Sequence, residues 1–205
     1  MKKALKARGV KFLVHFTRES NIDSIIQHGL LPKNEQKVLP SPAEVNDTLR
    51  LDFREDASSL SIGFPNYKLF YRFRKETEEQ KVEWGVIVFS KKVLLDKECL
   101  FCPTNAADSS VSSQDENTLK GVKAFNALYS EIKDKPSRQK VALPASFPTN
   151  PQAEVLVKDV IEPEYILAVV FNNSVLTKKY KSKYPKMDIR TFPDFFNARN
   201  DYTHW

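Results

Sequence analysis

The chain is 205 residues long, 41% hydrophobic and 28% charged, with a mean hydropathy of -0.46. This suits one water-soluble domain with a core that needs neither disulfides nor a metal, and it leaves no apolar stretch long enough to span a bilayer. The net charge of +6 and a pI of about 9.2 favour a polyanionic partner only mildly, while five glycines and no Gly-rich phosphate loop argue against P-loop and dinucleotide-fold enzymes.

Met1 to Lys6 carry charge with no apolar run behind them, so no signal peptide is expected. Val10 to Phe16 read as a short apolar strand ending at His15-Phe16-Thr17. Asn21 is expected to cap a helix that buries Ile22, Ile25 and Ile26, with Gly29 as its exit, Leu30 following, and Pro32 as a stop. A His and a Thr at a strand end either hydrogen-bond a ligand or are satisfied by nearby backbone. Lys33 to Asp47 read as an irregular loop. Arg50 and Arg54 follow in a segment dense in paired charge, where an Arg either forms solvated ion pairs or reaches a phosphate or base.

Ser59 to Phe64 alternate as a strand, and Pro65-Asn66 turn the chain into Tyr67-Lys68-Leu69-Phe70-Tyr71-Arg72-Phe73-Arg74. Aromatic and basic residues at helical spacing form either a core-facing helix or a platform for stacking bases. Trp84 to Phe89 and Lys92 to Leu95 are strand-like. Cys99 and Cys102 form a lone C-x-x-C without the further Cys or His ligands a zinc site needs, so both are expected to be reduced cysteines at a strand edge, with no metal and a cytoplasmic setting.

Thr104 to Asn117, including Asn105, are expected to form a mobile surface loop, and Leu119 to Lys133 an amphipathic helix with Phe125, Leu128, Tyr129 and Ile132 on one face. Asn150-Pro151-Gln152-Ala153-Glu154-Val155-Leu156-Val157 is a Pro-bounded loop running into a strand. Glu154 is expected at the strand mouth, with Gln152 two residues back on the same face. A strand-borne carboxylate is held rigidly enough to meet developing positive charge, or else it only faces water. Tyr165 to Asn172 form another strand. Lys178 to Tyr184 alternate cations with aromatics, as a solvated face or a track for a nucleic-acid backbone.

The H-F-T strand end, the N-I-x-x-I-I-x-x-G-L helix, the Arg-Asp-rich loop leading into S-I-x-F-P-N-Y-K-x-F-Y, the N-A-A after a strand and the late N-P-Q-A-E-V-L-V resemble, in this order, the DarT-type DNA ADP-ribosyltransferases. Members of that family are the toxin half of bacterial toxin–antitoxin pairs. The resemblance spans nearly the whole chain. It implies an α+β fold: one domain over residues 1–205 with an ADP-ribosyltransferase-like split mixed β-sheet and flanking helices.

It implies transfer of ADP-ribose from NAD+, a substrate rather than a resident cofactor, to thymine or guanine of single-stranded DNA, with an antitoxin as a further partner and no membrane. Glu154 and Arg50 are then the catalytic pair, with Arg54 as rival to Arg50 and a candidate NAD+ contact. His15, Thr17, Asn21, Gly29, Leu30, Tyr67, Phe70 and Tyr71 are expected to bind NAD+. Gln152, Asn105, Lys68 and Arg72 are expected to meet the acceptor strand. Thymidine-modifying members carry a proline and a methionine where this chain reads Asn66 to Leu69, which keeps guanine open. Transfer to RNA or protein, or nucleic-acid binding without catalysis, are the alternatives.

Overall fold

In the computed structural model, residues 1–39 and 54–205 are described, and Arg50 lies outside them. In chain order the elements are α1 (Lys2–Arg8), β1 (Phe12–Arg18), α2 (Ile22–His28), β2 (Ala57–Ile62), α3 (Tyr67–Glu76), β3 (Trp84–Ser90), α4 (Val93–Asp96), β4 (Cys99–Cys102), α5 (Ser109–Ser112), α6 (Gly121–Ala127), β5 (Glu154–Lys158), β6 (Ile166–Phe171), α7 (Ser174–Lys183) and β7 (Ile189–Thr191). The strands form a seven-stranded sheet in the order β4-β5-β2-β1-β3-β6-β7. The β6–β7 pair is parallel and every other pair is antiparallel, so the sheet is mixed.

The sheet is split near its middle. β1 pairs with β3 along the whole of Phe12–Arg18 but with β2 at Leu13↔Ile62 and Val14↔Ser61, after which the two strands part. This is the expected α+β split mixed sheet. The parting leaves the ends of β1 and β2 free to line a cleft rather than complete a ladder.

Alternation along the strands buries both faces. On one, Leu13, Ile62, Ile87, Phe89, Val155 and Val157 pack with Leu5, Ile25 and Phe125 from α1, α2 and α6. On the other, Val14, Val86, Val88 and Val170 meet Phe70 and Phe73 of α3 and Phe195 and Phe196 of the Pro193–Phe196 turn. α7 covers the far end through Leu176 and Tyr180 against Val169, Phe171 and Ile189.

Several local expectations change. Lys92 to Leu95 are not strand, since Val93–Asp96 make one helical turn that buries Val93 and Leu94. The Ser- and Asp-rich segment is structured: Asp108 and Asp115 cap α5 and the Glu116–Leu119 turn, and Val111 and Leu119 pack on Leu100 and Leu156. Such caps satisfy helix-end N–H groups, which explains how so polar a sequence is ordered. The long helix expected from Leu119 shortens to Gly121–Ala127. Leu128 and Tyr129 remain buried in turns, and Asp134 has a φ of 63°, outside helical space.

Part of the basic run is tied to the fold, and its lysines stay exposed. In α7, Lys179 bonds to Glu19 at 2.7 Å, Lys183 bonds to Asp23 at 2.6 Å, and Tyr180 is 1% exposed. Cys99 and Cys102 are buried thiols on the edge strand β4, and burial pushes the Cys99 thiol up to about 12, which suits inert packing residues.

Candidate active site

A cleft opens where β1 and β2 part. It is lined from β1 by His15 and Thr17, from α2 and its exit by Asn21, Ser24, Gly29 and Leu30, and from β2 by Ser59 and Ser61. Asn66, Leu69 and Phe73 of α3, together with Asn105 and Glu154, complete the wall. Its volume is about 180 Å³. Sites that engulf a whole small molecule hold roughly 300–1,000 Å³, so a larger ligand would extend beyond the enclosed part.

Glu154 is the first residue of β5, opposite Cys102 of β4. It is 6% exposed, and both oxygens are held: Asn105 Nδ2 donates to Oε1 and the Ala106 N–H donates to Oε2, each at 3.1 Å. Asn105 is itself fixed, because its Oδ1 accepts from the Ala107 N–H at 2.9 Å. The N-A-A segment therefore acts as a clamp on the carboxylate. It is built on the turn after β4, which the sheet brings beside β5.

The other side of the cleft is built from β1 and α2. His15 Nδ1 lies 2.9 Å from the Ser59 carbonyl, which can only accept, so Nδ1 carries the proton. This contact bridges β1 and β2 just past the end of their ladder. Asn21 sits before α2 but does not cap it as expected. Its Nδ2 donates instead to Thr17 Oγ1 at 3.1 Å, tying the end of β1 to the start of α2. Gly29 has a φ of 87°, and a Cβ there would lie 2.4 Å from the Ile161 carbonyl oxygen, so glycine alone lets α2 end against this neighbour. Leu30 then bridges to Ile161 through paired backbone bonds.

The structure thus brings His15, Thr17, Asn21, Gly29, Leu30, Asn105 and Glu154 together. The remaining expected residues stand elsewhere. Arg54 is buried outside the cleft and pairs with Glu116 at 2.9 Å, in a network with Lys158 and Asp56. Phe70 is a core residue, 1% exposed, and stacked on Phe16 with ring centroids 4.5 Å apart. Its ring has no face left for a ligand, and this corrects its expected role.

The Tyr67 hydroxyl is buried without a hydrogen-bond partner among the described residues, within electrostatic reach of Asp201 and Arg199. Burial, and then the Asp201 charge, push its phenol up from the ordinary range. Tyr71, Lys68 and Arg72 lie on the outer side of α3. The chain turns at Gln152, so it does not share a strand face with Glu154, and its N–H donates to Asn150 Oδ1 at 2.9 Å. Sequence reasoning missed Ser24, Asn66, Leu69 and Phe73 as cleft residues. For Asn66 the sequence signals a helix cap, an Asn directly before a helical pattern, but nothing in it places that cap in the cleft. Among the described residues no cluster of His, Cys, Asp or Glu is arranged to hold a metal ion, and no helix is long and apolar enough to cross a membrane.

Solved structures share this fold. The Thermosipho africanus DarTG in complex with ADP-ribose superposes with a TM-score of 0.64 at 17% identity, covering 93% of this chain and 52% of that one. This chain therefore spans about half the length of that protein. The Thermus sp. 2.9 DarT in complex with NAD+ gives a TM-score of 0.55 at 13% identity, covering 91% and 98%. The same protein with ADP-ribosylated single-stranded DNA gives 0.59 at 12%, covering 92% and 97%. No curated relative matches the chain. The model of the family described as "ssDNA thymidine ADP-ribosyltransferase, DarT" matches residues 14–202, so the chain belongs to the DarT family.

Proposed function

We propose that residues 1–205 are one ADP-ribosyltransferase domain that transfers ADP-ribose from NAD+ to a thymine of single-stranded DNA and releases nicotinamide. It would act in the cytoplasm as the toxin of a toxin–antitoxin pair whose partner reverses the mark. Three observations support this reading: family membership over nearly the whole chain, solved relatives of the same fold holding NAD+ and ADP-ribosylated DNA, and the cleft itself. The observation that carries it is Glu154, a buried carboxylate clamped at a strand mouth.

The chemistry follows from that placement. The bond between ribose C1′ and the nicotinamide nitrogen breaks, and its electron pair leaves with nicotinamide. Positive charge grows on the ribose, and an oriented carboxylate in a water-poor site stabilises it without reorganising at the moment of reaction. A ring nitrogen of thymine then bonds to C1′ and gives up its proton to water. In thymidine the ring nitrogen that carries a hydrogen is the one not bound to deoxyribose, so that atom is the acceptor.

His15, Thr17 and Asn21 present polar groups to the NAD+ side, and Gly29 and Leu30 bring backbone close to it. An unpaired base can be splayed into such a cleft, whereas a duplex would hide it. Arg50 is the proposed second catalytic group and Gln152 a contact for the acceptor. Lys68 and Arg72, on the outer side of α3, would meet the strand as it enters, and Tyr71, expected on the NAD+ side but exposed outside the cleft, would stand with them.

The test is mass spectrometry of a short mixed-sequence single-stranded oligonucleotide incubated with the protein and NAD+. A gain of one ADP-ribose mapped to thymine is expected. An adduct on guanine would correct the base. An adduct on RNA or protein alone, or none at all, would overturn the reaction.

A further inference from the structure

Asn66 occupies a position in the cleft wall that the reaction as described leaves unused. It is 2% exposed, and its Oδ1 accepts the Leu69 N–H at 3.2 Å, capping α3. A backbone N–H can only donate, so the oxygen must face Leu69, and the orientation of the amide follows from chemistry rather than choice. The other end, Nδ2, is sealed from solvent and has no acceptor among the described residues. A buried donor without a partner costs stability, and such groups are rare in folded proteins. An orphan of this kind in a ligand cleft marks a place where the ligand supplies the missing acceptor.

Its surroundings narrow the choice. Asn66, Leu69 and Phe73 recur at helical spacing, so one face of α3 forms this part of the wall, and Val14 and Phe16 of β1 stand in the same apolar cluster. The subsite is apolar apart from the Asn66 amide and the hydroxyl of Ser61, which pairs with Val14 and shares its face. Hydroxyl-rich sugar finds polar partners on the opposite side, at His15, Thr17, Asn21 and Ser24.

A flat ring bearing one carboxamide, whose oxygen accepts, fits. We infer that Asn66 is a leaving-group residue, whose Nδ2 donates to the carboxamide oxygen of the nicotinamide ring of NAD+. The inference rests on the NAD+ reading given above. An apolar pocket also disfavours the charged pyridinium of bound NAD+ relative to the neutral nicotinamide that forms as the C1′–N bond breaks and the electron pair passes to the ring. The subsite therefore favours the departing group over the bound one.

The experiment compares wild type with Asn66→Ser by calorimetry, using carba-NAD+ and ADP-ribose. Serine caps a helix about as well as asparagine, so α3 is kept while the amide donor is lost. Carba-NAD+ should bind about tenfold more weakly to the variant, the loss expected for one neutral hydrogen bond. ADP-ribose lacks the nicotinamide ring and should bind both proteins alike. Equal losses for the two ligands, or no loss for either, would overturn the role of Asn66 while leaving the NAD+ site standing. Failure of wild type to bind either ligand would overturn the NAD+ reading and this inference together.

Discussion

Asn105 Nδ2 and Glu154 Oε1 lie 3.1 Å apart, and the adjacent Ala106 N–H holds the second oxygen of the same carboxylate at the same distance. The turn after β4 and the first residue of β5 thus form one unit. A carboxylate fixed through both oxygens keeps its orientation as charge develops beside it.

Glu154→Gln should lower transfer by at least about a hundredfold, in line with the loss of one oriented electrostatic group. The amide keeps the side chain's size but sets its NH2 against one of the two N–H donors, so the thermal midpoint should fall by a few degrees while carba-NAD+ binding changes little. Oligonucleotide mass spectrometry beside a melting curve checks both, and near-normal transfer by this variant would remove Glu154 from the mechanism.

Asn105 is a positioning residue in this arrangement, and its two simplest variants should part company. Asn105→Ala removes one clamp and should reduce kcat about tenfold with KM nearly unchanged. Asn105→Asp places a second carboxylate against Glu154, and like charges at this distance favour protonation of one of them. The acid limb of its kcat profile should therefore move to higher pH, whereas a purely structural Asn would leave that limb in place.

Arg199 and Asp201 form a buried ion pair with a contact at 2.6 Å, and Arg199 also donates to the Pro148 and Thr149 carbonyls, at 2.9 and 2.8 Å, just ahead of the turn into Glu154. Burial alone would raise the Asp201 carboxyl, but hydrogen bonding and charge from Arg199 and a bond from Trp205 hold it below its ordinary 3.8. A folded-state value below the unfolded one means that the stability is present above about pH 4 and is lost as pH falls through the lower folded value. Asp201→Asn strands a buried guanidinium and should cost about 3–5 kcal/mol at neutral pH. Melting curves between about pH 2 and pH 6 should show the variant less stable throughout the upper range and flatter across the acid limb.

Phe70 and Tyr71 are neighbours with opposite surroundings, at 1% and 56% exposure. Phe70→Ala should destabilise the fold by about 3–5 kcal/mol through loss of a packed aromatic. Tyr71→Ala should leave the melting temperature within experimental error and weaken only oligonucleotide binding. Chemical denaturation and a salt-dependent binding series separate the two effects, and equal destabilisation by both would contradict the packing described.

Period-2 and period-3.6 hydrophobic patterns determined the elements that matter most. The strands containing His15, Ser59 and Glu154, the helix from Tyr67 and the strand from Trp84 were all legible, as was the placement of Glu154 at a strand mouth. These are properties of a residue and its near neighbours, so a linear pattern carries them. Short helices held by Asp108 and Asp115 were read as loop, because one capping bond supports them and the apolar signal is two residues, Val111 and Leu119.

Tertiary structure decided the rest. Asn105 and Glu154 are 49 positions apart, and nothing along the chain pairs the turn after β4 with the mouth of β5. Phe70 looked like a ligand platform because aromatic spacing is the same for a core face and a binding face, and only the opposing Phe16 and Trp84 show which it is. The cleft itself exists because β1 and β2 stop pairing after Val14 and Ser61, and the end of a ladder is set by what both strands meet, which neither strand's own sequence records.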